Sequence, residues 1–236
     1  MKHIFLTGGT RGIGAAIAAR LSDHKVIGTG SADGDLSDPA TPARLWSSAL
    51  ERLDGRIDIL INNAGVFEAA PIDLPDADWS ASWNRTMQIN LTASAELCRF
   101  AVRHFDANGG GRIVNIASQA AKTGFPHLPA YVSSKHGMIG LTRASAVELG
   151  AHNITVNAVC PNHVTTGLGA QQNEYFSKLL GFDSVDAYVK NMASKNPMGR
   201  PGLPSDTAAA CAWLASNDAY YVTGEALNVS GGEETH

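Results

Sequence analysis

The chain has 236 residues, 17% of them charged and 44% apolar, with a formal net charge of -4. That is enough apolar material for one well-buried core, and it excludes a disordered chain. The scattered Lys and Arg residues form no block that would track a nucleic-acid backbone or an anionic membrane surface, so neither partner is expected. Cys98, Cys160 and Cys211 stand far apart without CxxC spacing, which predicts buried thiols in a reducing compartment and no metal site. No apolar run has the length of a membrane span and no signal segment precedes the first strand, so a cytoplasmic protein is expected.

Ile4 to Thr7 reads as a buried strand, followed by the glycine turn TGGTRGIG at 7 to 14 and an apolar-periodic helix to about 21. Val26 to Thr29 is a second strand. The polar stretch from Gly30 to Ala40 is too short for a helix and a further strand, so a trimmed crossover is predicted. A helix over 41 to 54 leads to a strand at 57 to 61 and the turn NNAG. Trp79 and Trp83 mark a helix ahead of a longer one over about 91 to 105. A strand at 113 to 116 exits at Ser118, and a helix over 131 to 149 stops at Gly150. The strand at 154 to 159 is stopped by Pro161. Residues 167 to 200 break this rhythm with polar and aromatic side chains and are predicted to form a lid, because substrate loops lie beyond the carboxyl ends of parallel strands. A helix over about 205 to 215 and a strand at 226 to 229 close the chain. Alternating helices and apolar strands predict an α/β fold, one parallel sheet covered on both faces, as a single domain over 1 to 236.

Two local patterns carry chemistry. Tyr131 and Lys135 in YVSSK are four residues apart, which on a helix puts a phenol and an ammonium on one face, where the cation favours phenolate. Gly8, Gly12 and Gly14 lie between a strand and a helix, where missing side chains let a pyrophosphate approach the amides of a helix N-terminus.

With these patterns in place, the chain resembles the classical short-chain dehydrogenase/reductase family over nearly all its length. The resemblance rests on TGGTRGIG at 7 to 14, NNAG at 62 to 65, Asn90 in INLTA, Ser118, YVSSK at 131 to 135 and the terminal TGEALNVSGG. It implies a doubly wound Rossmann domain with about seven parallel strands, NADP or NAD as cofactor, and hydride transfer between a small secondary alcohol and its ketone. Tyr131 would be the acid/base, its pKa lowered by Lys135 and the nicotinamide. Lys135 would also bind the nicotinamide ribose, Ser118 would donate to the substrate oxygen, and Asn90 would hold helix geometry and a proton-relay water. Gly8, Thr10, Arg11, Gly12, Ile13 and Gly14 would hold the diphosphate. Asn63, Ala64 and Gly65 would sit beside adenosine, Asp35 and Leu36 at the adenine, and Pro161, Val164 and Thr166 at the nicotinamide, exposing its pro-S hydride.

An acidic residue at the end of the second strand would favour NAD. That position holds Gly30 or Ser31 instead. Arg11 and Ser31 favour NADP, and an inward-folded Asp33 would favour NAD. The segment CPNHVTT has Asn162 where most relatives have glycine, and asparagine tolerates left-handed backbone there. His163 follows it, toward the nicotinamide cavity or solvent. Candidate substrate contacts are Ser118, Ala120, Phe125, His127, Tyr131, Asn162 and His163, with Gln171, Gln172, Tyr175, Phe176 and Tyr188 on the lid. The mixed polar and aromatic list fits a small ketone or hydroxylated compound. A 3-oxoacyl-thioester reductase acting on an acyl-carrier protein is the alternative, suggested by VIGTGS. A non-catalytic dinucleotide sensor would have lost Tyr131 or Lys135, and a halohydrin dehalogenase would have lost the glycine loop. A homo-oligomer, a tetramer before a dimer, is expected through the helices at 91 to 105 and 131 to 149, by way of Ala93, Ala95, Val102, Met138 and Ala146.

Overall fold

The computed structural model describes residues 1–235. Six strands form one parallel sheet: β1 (His3–Thr7), β2 (Lys25–Thr29), β3 (Ile59–Asn62), β4 (Gly111–Ile116), β5 (Ile154–Pro161) and β6 (Ala226–Val229), in the order β2-β1-β3-β4-β5-β6. Among the described residues the count is six, close to the seven or so expected. The 30 to 40 segment accounts for the difference: instead of a helix and strand it folds into aspartate-held turns, in which Asp33 takes Gly30 N, Asp35 takes Ser37 N and Asp38 takes Ala40 N at 2.7 to 2.9 Å. β2 is therefore the sheet edge.

Successive strand side chains point to opposite faces, and the helices sort accordingly. Ile4, Leu6, Ile59, Ile61 and Val114 pack on α1 (Gly12–Arg20) and the late helix Pro204–Ala215 through Ile17, Cys211 and Leu214. Phe5, Leu60, Ile113 and Val156 face α2 (Thr41–Arg52), which follows the trimmed turn, and the helix Ala93–Ala107, through Leu45, Trp46, Leu97 and Phe105. In chain order the remaining helices are α3 (Asp76–Met87), α4 (Ala93–Ala107), α5 (Pro129–Leu149), α6 (Leu168–Leu179), α7 (Val185–Lys195) and α8 (Pro204–Ala215). The interruption at 167 to 200 thus contains two helices, α6 and α7.

Inside this apolar sandwich runs one polar chain. Asn62 Nδ2 donates to Asn115 Oδ1 at 2.9 Å, Asn115 Nδ2 to Thr142 Oγ1 at 2.9 Å, and Thr142 Oγ1 to Met138 O at 2.8 Å. It ties β3, β4 and α5 together. The three cysteines are buried free thiols, and burial pushes Cys98 and Cys211 up to about 12, which leaves them unreactive. Among the described residues no helix is long and apolar enough to cross a membrane. Of the residues expected at an oligomer interface, Ala93, Met138 and Ala146 are buried in this chain's own core; Ala95 and Val102 are half-buried.

Candidate active site

Because all strands are parallel, their carboxyl ends share one edge of the sheet, and the turns leaving them line a single long cleft. One end is built from the glycine loop after β1, Gly30 and Ser31 after β2, and Asn63 to Gly65 after β3. The other is built from Ser118 after β4, Tyr131 and Lys135 on α5, Pro161 to Val164 after β5, and the lid.

At the first end the backbone leaves no room for side chains. A Cβ on Gly14 would lie 1.9 Å from Gly8 O, and Gly8 has φ 64° with its own Cβ position 2.9 Å from the Ala64 backbone. Asn63 closes this packing: its Nδ2 donates to Thr7 O and Gly8 O at 3.0 and 2.9 Å, while Thr7 Oγ1 accepts from the amides of Asn63 and Ala64 at 3.1 Å. Arg11, extended at φ -152°, precedes α1 without a side-chain cap, so the first amides of that helix remain available to an anion. A dinucleotide diphosphate fits this cradle. Gly12 and Gly167 meet backbone to backbone, the Cβ position of each 3.5 Å from the other's Cα, which brings the root of the lid onto the loop. Thr10, Ile13, Asp35 and Leu36 also line the cleft. Arg85 of α3 lines it too, paired with Glu68 and close enough to lower the Asp35 carboxyl after the dominant Ser37 amide bond. Nothing in the local sequence marked Arg85, because only the fold carries α3 to this end of the cleft.

At the second end Tyr131 and Lys135 are 4% exposed on one face of α5. Lys135 Nζ donates to Ile116 O at 2.9 Å and stands 5.8 Å from the Tyr131 ring centroid. Burial pushes Lys135 down to about 8. Burial also raises the Tyr131 phenol; hydrogen bonds from Ser118 and Gln172 oppose this without reversing it. Desolvation is the dominant influence on this phenol, and Lys135 is not among the groups that lower it. Ser118 leaves β4 extended, and its Oγ also accepts from Ala120 N at 3.1 Å, so a turn-capping bond fixes the hydroxyl that meets the phenol. Phe67 packs edge-on to the Tyr131 ring at 5.9 Å.

Asn90 lies behind the cleft, fully buried in the π-helical turn Gln88–Thr92 between α3 and α4. Its Oδ1 accepts from Val66 N at 2.8 Å, and its Nδ2 donates to Val66 O at 3.1 Å and Ser134 Oγ at 3.2 Å. These three bonds hold the turn after β3 against α5. A Cβ on Gly65 would come within 3.3 Å of Asn90 Oδ1 and 3.7 Å of Lys135 Nζ, so glycine lets these three elements close.

Of the expected substrate contacts, Ala120, Phe125, Asn162 and His163 line the cleft, as do Gln172, Phe176 and Tyr188 of the lid. His127 does not. With φ 62° its ring turns to Tyr175, Nδ1 lying 2.8 Å from the hydroxyl, and it faces a neighbouring groove with Pro71 and Pro129. Tyr175 and Gln171 are likewise off the cleft. The left-handed residue after β5 is His163, at φ 42°, and not Asn162. Neither was Glu233 foreseen: its carboxylate takes both Asn162 and His163.

The sequence profile of a family described as enoyl-(acyl carrier protein) reductase matches residues 11–234. The chain is 34% identical over 251 residues to the 3-oxoacyl-(acyl-carrier-protein) reductase FabG of Haemophilus influenzae, covering 98% of this chain and 97% of that protein. It is 32% identical over 261 residues to L-2,3-butanediol dehydrogenase of Corynebacterium glutamicum, covering 98% of each. Among solved structures, a variant of actinorhodin polyketide ketoreductase with NADPH superposes with a TM-score of 0.89 at 31% identity, over 99% of this chain and 97% of that one. The chain belongs to the classical short-chain dehydrogenase/reductase family. It is an oxidoreductase that transfers a hydride between a nicotinamide cofactor and an alcohol or ketone.

Proposed function

We propose that this enzyme interconverts a small secondary alcohol and its ketone, with Tyr131 as the proton donor and acceptor at the reacting oxygen. The observation that carries this reading is the convergence of Ser118, Tyr131 and Lys135 at one end of a cleft whose other end is an uncapped helix N-terminus. A bound nicotinamide supplies or takes the hydride. Ser118 donates to the substrate oxygen as negative charge builds on it. Lys135, fixed to Ile116 O, holds the nicotinamide ribose, Val164 and Thr166 anchor the carboxamide for pro-S transfer, and Asn90 positions the turn behind them. Phe67, Phe125, Phe176 and Tyr188 keep water from the phenol. Replacing Tyr131 by Phe keeps the ring packing and removes the proton; turnover should fall by about 100 to 10,000-fold with cofactor affinity retained. Turnover of the variant near that of the unmodified protein would reject the assignment.

The cofactor reading within this proposal is NADP(H). Arg11 and Ser31 are exposed on the cleft, while Asp33 is drawn onto Gly30 N and does not line it. Arg11→Ala should lower NADPH affinity about tenfold and leave NADH affinity nearly unchanged, as loss of one charged phosphate contact does. A tenfold preference of the unmodified protein for NADH would sink this reading. The chain would act as a single cytoplasmic domain lidded by residues 167 to 200, in a tetramer that uses Ala95, Val102 and the exposed Val147. The family description and the FabG relative support a second reading, reduction of a 3-oxoacyl thioester, which would win if an acyl-thioester analogue were clearly the best substrate.

A further inference from the structure

Asn162 and His163 line the cleft where β5 ends, and both are held from behind by Glu233 in the C-terminal segment. Glu233 Oε2 accepts from Asn162 Nδ2 at 2.6 Å, and Oε1 lies 3.4 Å from His163 Nε2. A carboxylate can only accept, so it decides which end of each side chain it takes. The amide turns its NH2 to Glu233, which leaves its carbonyl Oδ1 for another partner. Burial favours the neutral imidazole, against the pull of the Glu233 charge. Its single proton then belongs on Nε2, which leaves Nδ1 as a bare acceptor.

Among the described residues neither Asn162 Oδ1 nor His163 Nδ1 has a hydrogen-bond partner, and neither is among the sealed polar atoms. Tyr188, 4% exposed and also on the cleft, feels the same carboxylate, which together with burial keeps its phenol neutral. Lys195, a positive charge that also acts on His163, sits on an exposed position of α7. Asn162 and His163 therefore offer acceptors from this wall of the cleft, backed by a half-buried negative charge, with the neutral Tyr188 hydroxyl beside them free to donate or accept. The sequence placed Asn162 and His163 among the candidate substrate contacts, and Glu233 draws on the donors of both.

We propose that Glu233 sets the specificity of the cleft, orienting Asn162 and His163 as acceptors that select ketones and alcohols carrying a second hydroxyl group and reject keto acids. This rests on the alcohol/ketone reading above. A substrate hydroxyl donates to the wall, a plain ketone leaves the wall unpaired, and a carboxylate sets acceptor against acceptor and charge against like charge.

The test is steady-state kinetics of the full chain on acetoin, butanone and pyruvate with each nicotinamide cofactor, together with Glu233→Gln and Asn162→Ala. The unmodified protein should favour acetoin over butanone by about tenfold or more in kcat/KM, with pyruvate poorest. Glu233→Gln keeps the shape but can donate, so it frees the Asn162 amide to turn over. The acetoin preference should then collapse toward that of butanone through KM, with kcat little changed, and pyruvate should gain on both. Asn162→Ala should lose the acetoin advantage without that gain for pyruvate. Equal changes on all three ketones, an effect confined to kcat, or a pyruvate preference in the unmodified protein would overturn the role of Glu233. Ketone turnover without an acetoin preference would overturn this proposal alone, whereas no turnover of any ketone or alcohol would overturn the functional reading and this proposal with it.

Discussion

Lys135 Nζ donates to the Ile116 carbonyl oxygen across 2.9 Å, so a buried ammonium is fixed to the end of the strand that delivers Ser118. The bond satisfies one of its three donors and leaves the others for the cleft. Burial has pushed this lysine down to about 8. Cofactor affinity should therefore fall as pH rises through about 8, since the neutral amine no longer attracts the dinucleotide. Titration calorimetry from neutral to alkaline pH should show this bend in the unmodified protein, and it should be absent in Lys135→Met. The sign for stability is opposite: the folded state binds the proton less tightly than the unfolded chain, whose value is near 10.5, so this group's contribution rises from about pH 8 toward that value.

Gly14 and Gly140 should respond oppositely to alanine. At Gly14 the new Cβ would meet Gly8 O at 1.9 Å, a backbone atom that cannot step aside, so Gly14→Ala should abolish cofactor binding and lower the melting temperature. At Gly140, in the middle of α5, a Cβ meets nothing within 4 Å, so Gly140→Ala should stabilise the chain by about 1 kcal/mol, the helix-propensity difference. Thermal melts and cofactor titrations of the two variants check this pair. Destabilisation by Gly140→Ala would instead indicate that this face of α5 is covered in solution.

His104 on α4 accepts a hydrogen bond from Ile57 N at 3.0 Å through Nε2, which only an unprotonated nitrogen can do. Burial lowers its pKa below the ordinary 6.5, against the pull of Asp58. The folded state binds this proton less tightly than the unfolded chain. The stability it contributes is thus complete above about pH 6.5 and is lost as the pH falls through the folded value. Urea unfolding between neutral and mildly acid pH should show this loss, and His104→Gln, whose carbonyl accepts at any pH, should flatten it.

What could be read from the sequence was what short spacing encodes. TGGTRGIG, NNAG and YVSSK act within one turn or one helix face, and Gly8, Gly12, Gly14, Asn63 to Gly65, Tyr131 and Lys135 all lie on the cleft. Six of the six strand segments read in chain order are strands, because buried parallel strands are simple apolar runs. Contacts made across the sheet were not legible. Glu233 meets Asn162 only through the β5–β6 pairing, and Arg85 reaches the cleft only because α3 packs at its rim. His127 failed for a local reason, its positive φ and the bond to Tyr175, neither of which a histidine between Pro126 and Leu128 announces. Small residues such as Ala93 and Ala146 read the same whether they face a core or a partner.

The buried chain Asn62, Asn115, Thr142 also bears on how the molecule reaches its native arrangement. Asn62 and Asn115 are direct partners in the parallel ladder of β3 and β4. An aliphatic ladder tolerates a slip of two residues, since Ile, Leu and Val replace one another on the same face. The asparagine pair does not: after such a slip each amide would be left facing hydrocarbon, at a cost of about 1 to 3 kcal/mol for each unmet group. The correct alignment is the one that also brings Thr142 of α5 to Asn115, so docking of the helix proofreads the pairing of the strands. A chain misaligned there would present Ser118 and the Asn63 to Gly65 turn at different heights along the sheet, and misfolded molecules would be catalytically silent as well as less stable.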